Sequence, residues 1–101
     1  MSSKSWKIIF TNLVRVYAKE LRAQGITVNT VIPGYTKTDA WNPVLATDEI
    51  RVATENRMKE TTSGGWIEPG EIGEVVSFLF SKTAQSITGQ ALNVDRGLHL
   101  Q

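Results

Sequence analysis

Apolar residues recur every three or four positions early in the chain, on what would be one face of a helix: Trp6, Phe10, Leu13, Tyr17 and Leu21. This spacing predicts a helix over residues 2–23, with Gly25 as its stop. Ile9 and Val16 widen the apolar surface, and a helix that is apolar on more than one side is usually buried on more than one side. Two interpretations stay open: a core helix, or a helix that also forms a subunit interface.

A strand pattern follows over residues 26–32, where β-branched residues dominate and the Pro33–Gly34 turn ends the run. We therefore predict a strand there. In α/β proteins, ligands bind just beyond the carboxyl ends of such strands. The turn and the small polar residues after it, Thr36 and Thr38, are for this reason the candidate binding site.

The connection that comes next, residues 37–67, is long and rich in turn residues, and it contains a weakly apolar helix predicted over 49–60. Connections of this length between sheet elements are often lids or binding loops, and we call this segment the lid-like loop. Trp41 and Trp66 lie in it. They could line an apolar pocket or anchor the loop, because aromatic side chains dominate packing energies in both cases.

The end of the chain adds a helix predicted over residues 70–82, with Pro69 in its first turn, and a strand predicted over 90–95. A strand, a crossover that contains helices and a second strand form a βαβ-type unit, in which the strands are parallel and the connection is right-handed. The predicted fold class is α/β, in a single domain over residues 1–101.

Charge and composition narrow the possible partners. The formal net charge is +1 with acids and bases interspersed, so there is no electrostatic basis for binding nucleic acid, and no apolar run is long enough to span a membrane. Because the sequence has no cysteine and one histidine, we expect no disulfide and no metal site. Residues 1–4 lack the apolar region of a signal peptide, and we expect a cytoplasmic protein.

Lys4 and His99 are the titratable residues whose positions bear most on chemistry. A lysine in the first turn of a helix opposes the helix dipole, so another interaction could hold Lys4 there. A solvent-exposed lysine at a frayed terminus is the simpler alternative. His99 lies near the end of the sequence, and we expect a solvated tail residue rather than a catalytic base or metal ligand.

Five ordered segments carry a resemblance to a known family: SSK, AKEL, GITVNTVIPGYTKT, EPGEIGEVVSFLFS and ITGQALNVD. Together they resemble the carboxyl-terminal part of a short-chain dehydrogenase/reductase. The most specific part is Val28-Asn29 followed by Pro33–Gly34, with Val94-Asp95 downstream. The resemblance implies a doubly wound Rossmann-like sheet, of which about two parallel strands and three to four helices would lie here. It also implies hydride transfer between NAD or NADP and an alcohol or carbonyl.

The resemblance further implies roles for individual residues. Lys4 matches the lysine of the family's Tyr-x-x-x-Lys signature, and it would bind the nicotinamide ribose and lower the pKa of the tyrosine. The Pro33–Gly34 turn with Tyr35 and Thr36 would run beside the nicotinamide. Thr38 would contact the carboxamide or the pyrophosphate, and the lid-like loop would cover a substrate whose identity the family does not fix.

This sequence departs from the family pattern in two respects. The signature tyrosine would fall one residue before Met1, and the family's glycine-rich turn, cofactor selector and catalytic serine lie further upstream. We therefore expect no dehydrogenase activity from this chain alone. In addition, Asp95-Arg96-Gly97 stands where the family usually has Asp-Gly-Gly, so a side chain occupies a position that normally has none.

Two functional hypotheses remain. The first is the carboxyl-terminal half of an NAD(P)-dependent oxidoreductase that acts on a small-molecule carbonyl or alcohol in the full-length enzyme. The second is a truncated, non-catalytic family member that serves as a dimerisation or interaction module. In either case the resemblance implies a homo-oligomer, formed through the helix over 2–23 and the strand over 90–97.

Overall fold

The computed structural model describes the backbone of residues 3–100 and the side chains of residues 8–100. Its helices are α1 (Ser3–Leu21), α2 (Asp48–Thr61) and α3 (Pro69–Leu79), and its strands are β1 (Thr30–Pro33) and β2 (Ala91–Val94). Short 3-10 turns lie between and after these elements, at Arg22–Gln24, Asp39–Trp41, Lys82–Ala84 and Leu98–Leu100. These elements lie where the sequence predicts them, with differences at their ends.

The end of α1 follows the prediction. Gly25 has a φ of 73° and its N–H donates to the carbonyl of Arg22 at 3.1 Å. This left-handed conformation is open to glycine at little steric cost, and it stops the helix. The last residues of the predicted helix, Arg22 and Ala23, belong to the 3-10 turn instead.

β1 begins later than the predicted strand over 26–32. The first part of that segment bonds to the loop before β2 rather than to a strand. Thr88 Oγ1 accepts the N–H of Val28 at 3.0 Å, and the Asn29 side-chain amide donates to the carbonyl of Ile87 at 3.0 Å. These side-chain bonds, together with one backbone bond from the N–H of Gly89 to the carbonyl of Val28 at 2.8 Å, stand in place of the regular ladder that the alternating pattern predicts.

α3 ends at Leu79 rather than at the predicted Lys82. The backbone N–H and the hydroxyl of Ser81 both donate to the carbonyl of Phe78, at 2.9 and 2.5 Å. Ser81 then takes extended backbone angles, which end the helix, and Lys82 begins the following 3-10 turn.

β1 and β2 pair in a two-stranded sheet. The N–H of Thr30 donates to the carbonyl of Gln90 at 2.9 Å, and the N–H of Gly34 donates to the carbonyl of Val94 at 3.1 Å. The bonded positions advance in the same direction along both strands, so the strands are parallel. The predicted α/β class is thereby confirmed.

The chain groups into two compact units, Met1–Ile32 with Val75–Leu92 and Pro33–Glu74 with Asn93–Gln101. Buried side chains include Val14, Ala18 and Ala84 in the first unit, and Met58, Ile67 and Asp95 in the second. Along α1, several large apolar side chains are exposed: Ile8, Ile9, Leu13, Val16 and Tyr17. Within residues 3–100, no helix has both the length and the apolar character needed to cross a bilayer.

Candidate functional site

The candidate binding turn follows directly from the end of β1. Gly34 packs against Asp95 so closely that a Cβ on residue 34 would lie 2.7 Å from the Cα of Asp95. Real Cβ atoms essentially never come so near. Only glycine therefore fits at this point, and the reason is the close approach of two backbones rather than an unusual φ.

Two further bonds shape the turn. The Thr36 hydroxyl donates to the carbonyl of Gly34 at 3.2 Å. The Tyr35 carbonyl accepts the N–H of Ile67 at 2.8 Å, and the Ile67 carbonyl accepts the N–H of Lys37 at 2.8 Å. These last two bonds form a parallel bridge between Thr36 and Ile67. The turn is thus fixed to the end of the lid-like loop.

Three half-buried aromatic side chains meet beside this bridge, and we call Tyr35, Trp41 and Trp66 the aromatic cluster. The ring centroids of Trp41 and Trp66 are 5.1 Å apart in a T-shaped contact, and Tyr35 lies 5.9 Å from Trp41 and 6.3 Å from Trp66. Edge-to-face contacts at these distances are favourable. The cluster places an apolar, partly exposed surface next to the turn.

Asp95 is buried at the carboxyl end of β2, with 6% of its surface exposed. Its carboxylate accepts the backbone N–H groups of Gly97 and His99, each at 3.0 Å, and it contacts Nδ1 of His99 at 2.9 Å. Burial alone would raise the pKa of Asp95, but hydrogen bonds from His99 and Gly97 outweigh it, so the pKa lies below its ordinary value.

The expectation for His99 needs correction. Its side chain is 41% exposed, yet it is held against Asp95 and sits in the 3-10 turn Leu98–Leu100. It is therefore an ordered partner of a buried carboxylate rather than a solvated tail residue. The sequence signal that could have shown this is the i, i+4 spacing of Asp95 and His99.

Arg96 adopts a backbone conformation that is rare for a residue with a side chain, with a φ of 53°. Its Nη2 lies 3.1 Å from Oε1 of Glu71, and its carbonyl accepts the N–H of Ser63 at 2.7 Å. The Nε atom of Arg96 is buried and has no hydrogen-bond partner among the described residues. The sequence marks Arg96 as unusual, but it does not reveal its two partners, which are distant along the chain.

The structure gathers some of the predicted site residues and not others. Gly34, Tyr35 and Thr36 lie in one turn, with Pro33 exposed at its start. Thr38 is exposed and precedes the 3-10 turn Asp39–Trp41, and its side chain makes no capping bond there. The backbone of Lys4 lies in the first turn of α1, but its side chain lies outside the described residues.

The turn also offers hydrogen-bonding groups to a polar ligand. Within residues 8–100, the N–H of Thr36 has no hydrogen-bond partner, whereas those of Gly34 and Lys37 are used. The described residues contain no group of three metal-ligating side chains. The available chemistry at the turn is therefore hydrogen bonding by a backbone N–H and threonine hydroxyls, beside aromatic surface.

Comparison with known proteins gives consistent matches. The family model described as enoyl-(acyl carrier protein) reductase matches residues 4–99. A 3-oxoacyl-[acyl-carrier-protein] reductase of Vibrio cholerae is 39% identical over 83 residues, covering 82% of this chain and 32% of the relative. A diacetyl reductase of Staphylococcus epidermidis that forms (S)-acetoin is 40% identical over 88 residues, covering 80% of this chain and 34% of the relative.

Solved structures agree with these matches. An actinorhodin polyketide ketoreductase with NADPH has a TM-score of 0.73 and 28% identity, over 88% of this chain and 36% of that one. Other similar structures hold NADH or NADP. The chain spans about a third of the length of the curated relatives that it matches. By its family match and its relatives, this chain belongs to the short-chain dehydrogenase/reductase family.

Proposed function

We propose that this chain forms the nicotinamide and substrate side of an NAD(P)-dependent oxidoreductase that interconverts a small-molecule carbonyl and the corresponding alcohol. The observation that carries the proposal is the turn from Gly34 to Thr36, fixed at the carboxyl end of β1 in a chain of this family. Ligands of α/β sheets bind at that end of the strands.

The residues of the turn fit a nicotinamide. Its carboxamide carries one acceptor and two donors. The turn offers the Thr36 N–H as a donor, the Thr36 hydroxyl, whose proton goes to Gly34, as an acceptor, and the Thr38 hydroxyl as either. When bound, the nicotinamide would supply or accept the hydride. The Pro33–Gly34 backbone would lie along the ring, and Thr36 would orient it by holding the carboxamide.

By the family resemblance, Lys4 would also take part in binding the cofactor. Its ammonium would bind the ribose hydroxyls, and its positive charge would favour the phenolate form of a neighbouring tyrosine. Neither Tyr17 nor Tyr35 stands four residues before a lysine. We therefore propose that these 101 residues by themselves do not catalyse hydride transfer, which needs a proton donor at the carbonyl oxygen.

The aromatic cluster would provide the substrate side. Its Tyr35 belongs to the proposed nicotinamide turn, and its Trp41 and Trp66 belong to the lid-like loop. Ring contacts between Tyr35 and the two tryptophans connect these segments. Partly exposed rings contribute apolar contact area at low conformational cost. We propose a cytoplasmic enzyme whose single domain holds a small carbonyl compound between this surface and the nicotinamide, without nucleic acid or membrane as a partner.

One observation favours a second candidate, an interaction module. Ile8 is 64% exposed and Val16 53% exposed on α1, and such apolar surface is usually covered by a partner or by further protein. In this alternative the chain associates with a second copy through the helix over 2–23 and the strand over 90–97. The turn at Thr36 lies outside this predicted interface, whereas Lys4 lies within its helix.

One experiment separates these candidates. NADH and NADPH oxidation would be followed with diacetyl as the probe carbonyl, in the protein at its native length and in the 101 residues alone, with the mass of each measured by light scattering. The proposal expects turnover at native length and none from the 101 residues. A stable dimer that neither binds nor oxidises NADH or NADPH at native length would favour the interaction module and overturn the proposed enzyme.

A further inference from the structure

We propose that Arg96 is a positioning residue. It holds residues 62–67, the end of the lid-like loop, against the end of β2, and it thereby fixes Trp66 in the aromatic cluster. The consequence for substrate binding rests on the proposed function, whereas the positioning itself can be tested without any ligand.

Arg96 contacts residues 62–67 through both its backbone and its side chain. Its carbonyl accepts the N–H of Ser63 at 2.7 Å. Its guanidinium lies over Gly64, where an added Cβ would come 2.9 Å from Nη1. Ser63 is therefore hydrogen-bonded to Arg96, and its neighbour Gly64 lies against the guanidinium.

The same side chain also contacts the start of α3. Nη2 of Arg96 lies 3.1 Å from Oε1 and 3.4 Å from Oε2 of Glu71. Oε2 of Glu71 also accepts the N–H of Glu68 at 2.7 Å, which satisfies a free donor at the N-terminus of the helix. Arg96 is thus linked to both ends of the connection between α2 and α3.

Residues 62–67 are themselves stiff enough to pass this restraint to Trp66. The Thr62 hydroxyl lies within hydrogen-bond distance of two carbonyls, those of Met58 and Gly64, and can donate its one proton to either. Ile67, next to Trp66, is 3% exposed and is bonded to Tyr35. Trp66 therefore lies between Gly64 and Ile67, which are both restrained. The restraint on Gly64 includes its contact with Arg96.

A contribution to stability does not explain this arrangement. A positive φ is unfavourable for an arginine. The ion pair is partly exposed, with 34% of the Arg96 and 48% of the Glu71 side chain accessible, and such pairs contribute little. The buried Nε without a partner among the described residues is a further cost. What the side chain does provide is a fixed position for the loop.

The test is hydrogen exchange on the native-length protein without ligand, comparing the wild type with Arg96→Gly, Arg96→Lys and Glu71→Gln. Glycine accepts the φ of 53° and keeps the carbonyl, so Arg96→Gly removes the side chain without backbone strain, and Arg96→Lys controls for the backbone freedom that glycine adds. Arg51→Gln is the matched control, because Arg51 forms a similar exposed pair with Asp48 on α2.

We expect Arg96→Gly to accelerate exchange at residues 63–67 by about tenfold, with β1 and β2 unchanged and the midpoint of unfolding not lowered. Glu71→Gln should accelerate exchange less than Arg96→Gly, and Arg96→Lys should keep part of the protection. Arg51→Gln should leave exchange at residues 63–67 unchanged. Unchanged exchange at these residues in Arg96→Gly would overturn the proposal. Equal acceleration in β1 and β2 would also overturn it, since the role would then be merely structural.

A second measurement joins this residue to the proposed function. With diacetyl as the probe carbonyl, Arg96→Gly should raise KM by about fivefold and leave kcat within about twofold. A fall in kcat at unchanged KM would overturn the link to substrate binding. If the wild type neither binds NADH or NADPH nor turns over diacetyl, the proposed function fails, and the exchange result still decides the role of Arg96.

Discussion

Gly34 and Asp95 touch at the carboxyl ends of the two strands, where a Cβ on residue 34 would lie 2.7 Å from both Cα and Cβ of Asp95. The carboxylate of Asp95 is in turn occupied by Gly97 and His99. The candidate nicotinamide turn therefore packs against a buried residue whose carboxylate is already hydrogen-bonded. Its shape is set by backbone packing before any ligand binds.

Gly34→Ala should consequently destabilise the protein. The new methyl group would meet backbone atoms that cannot move aside, and overpacking of this kind costs about 1–3 kcal/mol. Urea unfolding of the native-length protein measures it. Gly65→Ala is the control, because a Cβ there meets nothing within 4 Å, and it should lie within about 0.5 kcal/mol of the wild type. Equal effects of the two substitutions would contradict the packing account.

Stability should fall in acid because of Asp95. Its pKa is lower in the folded protein than its ordinary value, so the ionised carboxylate stabilises the fold above the unfolded pKa. That contribution is lost as the pH falls below about 4 toward the folded pKa. Urea midpoints from neutral pH down to acid measure the loss. Asp95→Asn should be less stable at neutral pH, and its urea midpoint should fall less as the pH is lowered. An identical fall of the midpoint in both proteins would contradict the role given to Asp95.

Asn29 should contribute more to the stability of the fold than its place in a loop suggests. Its side-chain amide donates to the carbonyl of Ile87, and its side-chain oxygen accepts the N–H of Gln90 at 3.1 Å. Asn29→Ala removes both bonds and should lower the free energy of unfolding by about 1–2 kcal/mol. Asn93→Ala, an exposed residue of β2, is the control and should change it by less than about 0.5 kcal/mol.

Trp66→Leu decides between the two interpretations of the tryptophans. Loss of the contacts with Trp41 and Tyr35 should cost about 1–3 kcal/mol in unfolding free energy whichever interpretation holds. If the aromatic cluster also binds substrate, KM for diacetyl should rise about tenfold at nearly unchanged kcat. Tyr17→Leu, an exposed aromatic residue of α1, should leave KM unchanged. Reduced stability with an unchanged KM would show that Trp66 only anchors the loop.

The sequence predicted the elements well because their signals are local. The helix stop at Gly25 and the end of β1 at Pro33–Gly34 depend on single residues whose backbone preferences are strong. The strand over 26–32 was predicted too long, since no local signal shows that Asn29 bonds to the loop before β2.

The contacts of the site were harder to predict from the sequence, because they also lack a local signal. Arg96 and Glu71 are 25 positions apart, and Asp95 meets Gly34 only after β1 and β2 have paired. Contacts of this kind follow from topology rather than from spacing. The roles of Lys4, Pro33, Gly34, Tyr35, Thr36 and Thr38 toward a nicotinamide stay predictions, and they rest on family membership together with the shape of the turn.

The most direct measurement is a fluorescence titration of NADH and NADPH into the native-length protein, into Lys4→Ala and into Lys19→Ala. Lys19 is the matched control, since it is an exposed lysine of the same helix. We predict saturable binding of one nucleotide, weakened about tenfold by Lys4→Ala and unaffected by Lys19→Ala. Absence of saturable binding, or equal effects of the two substitutions, would contradict this prediction.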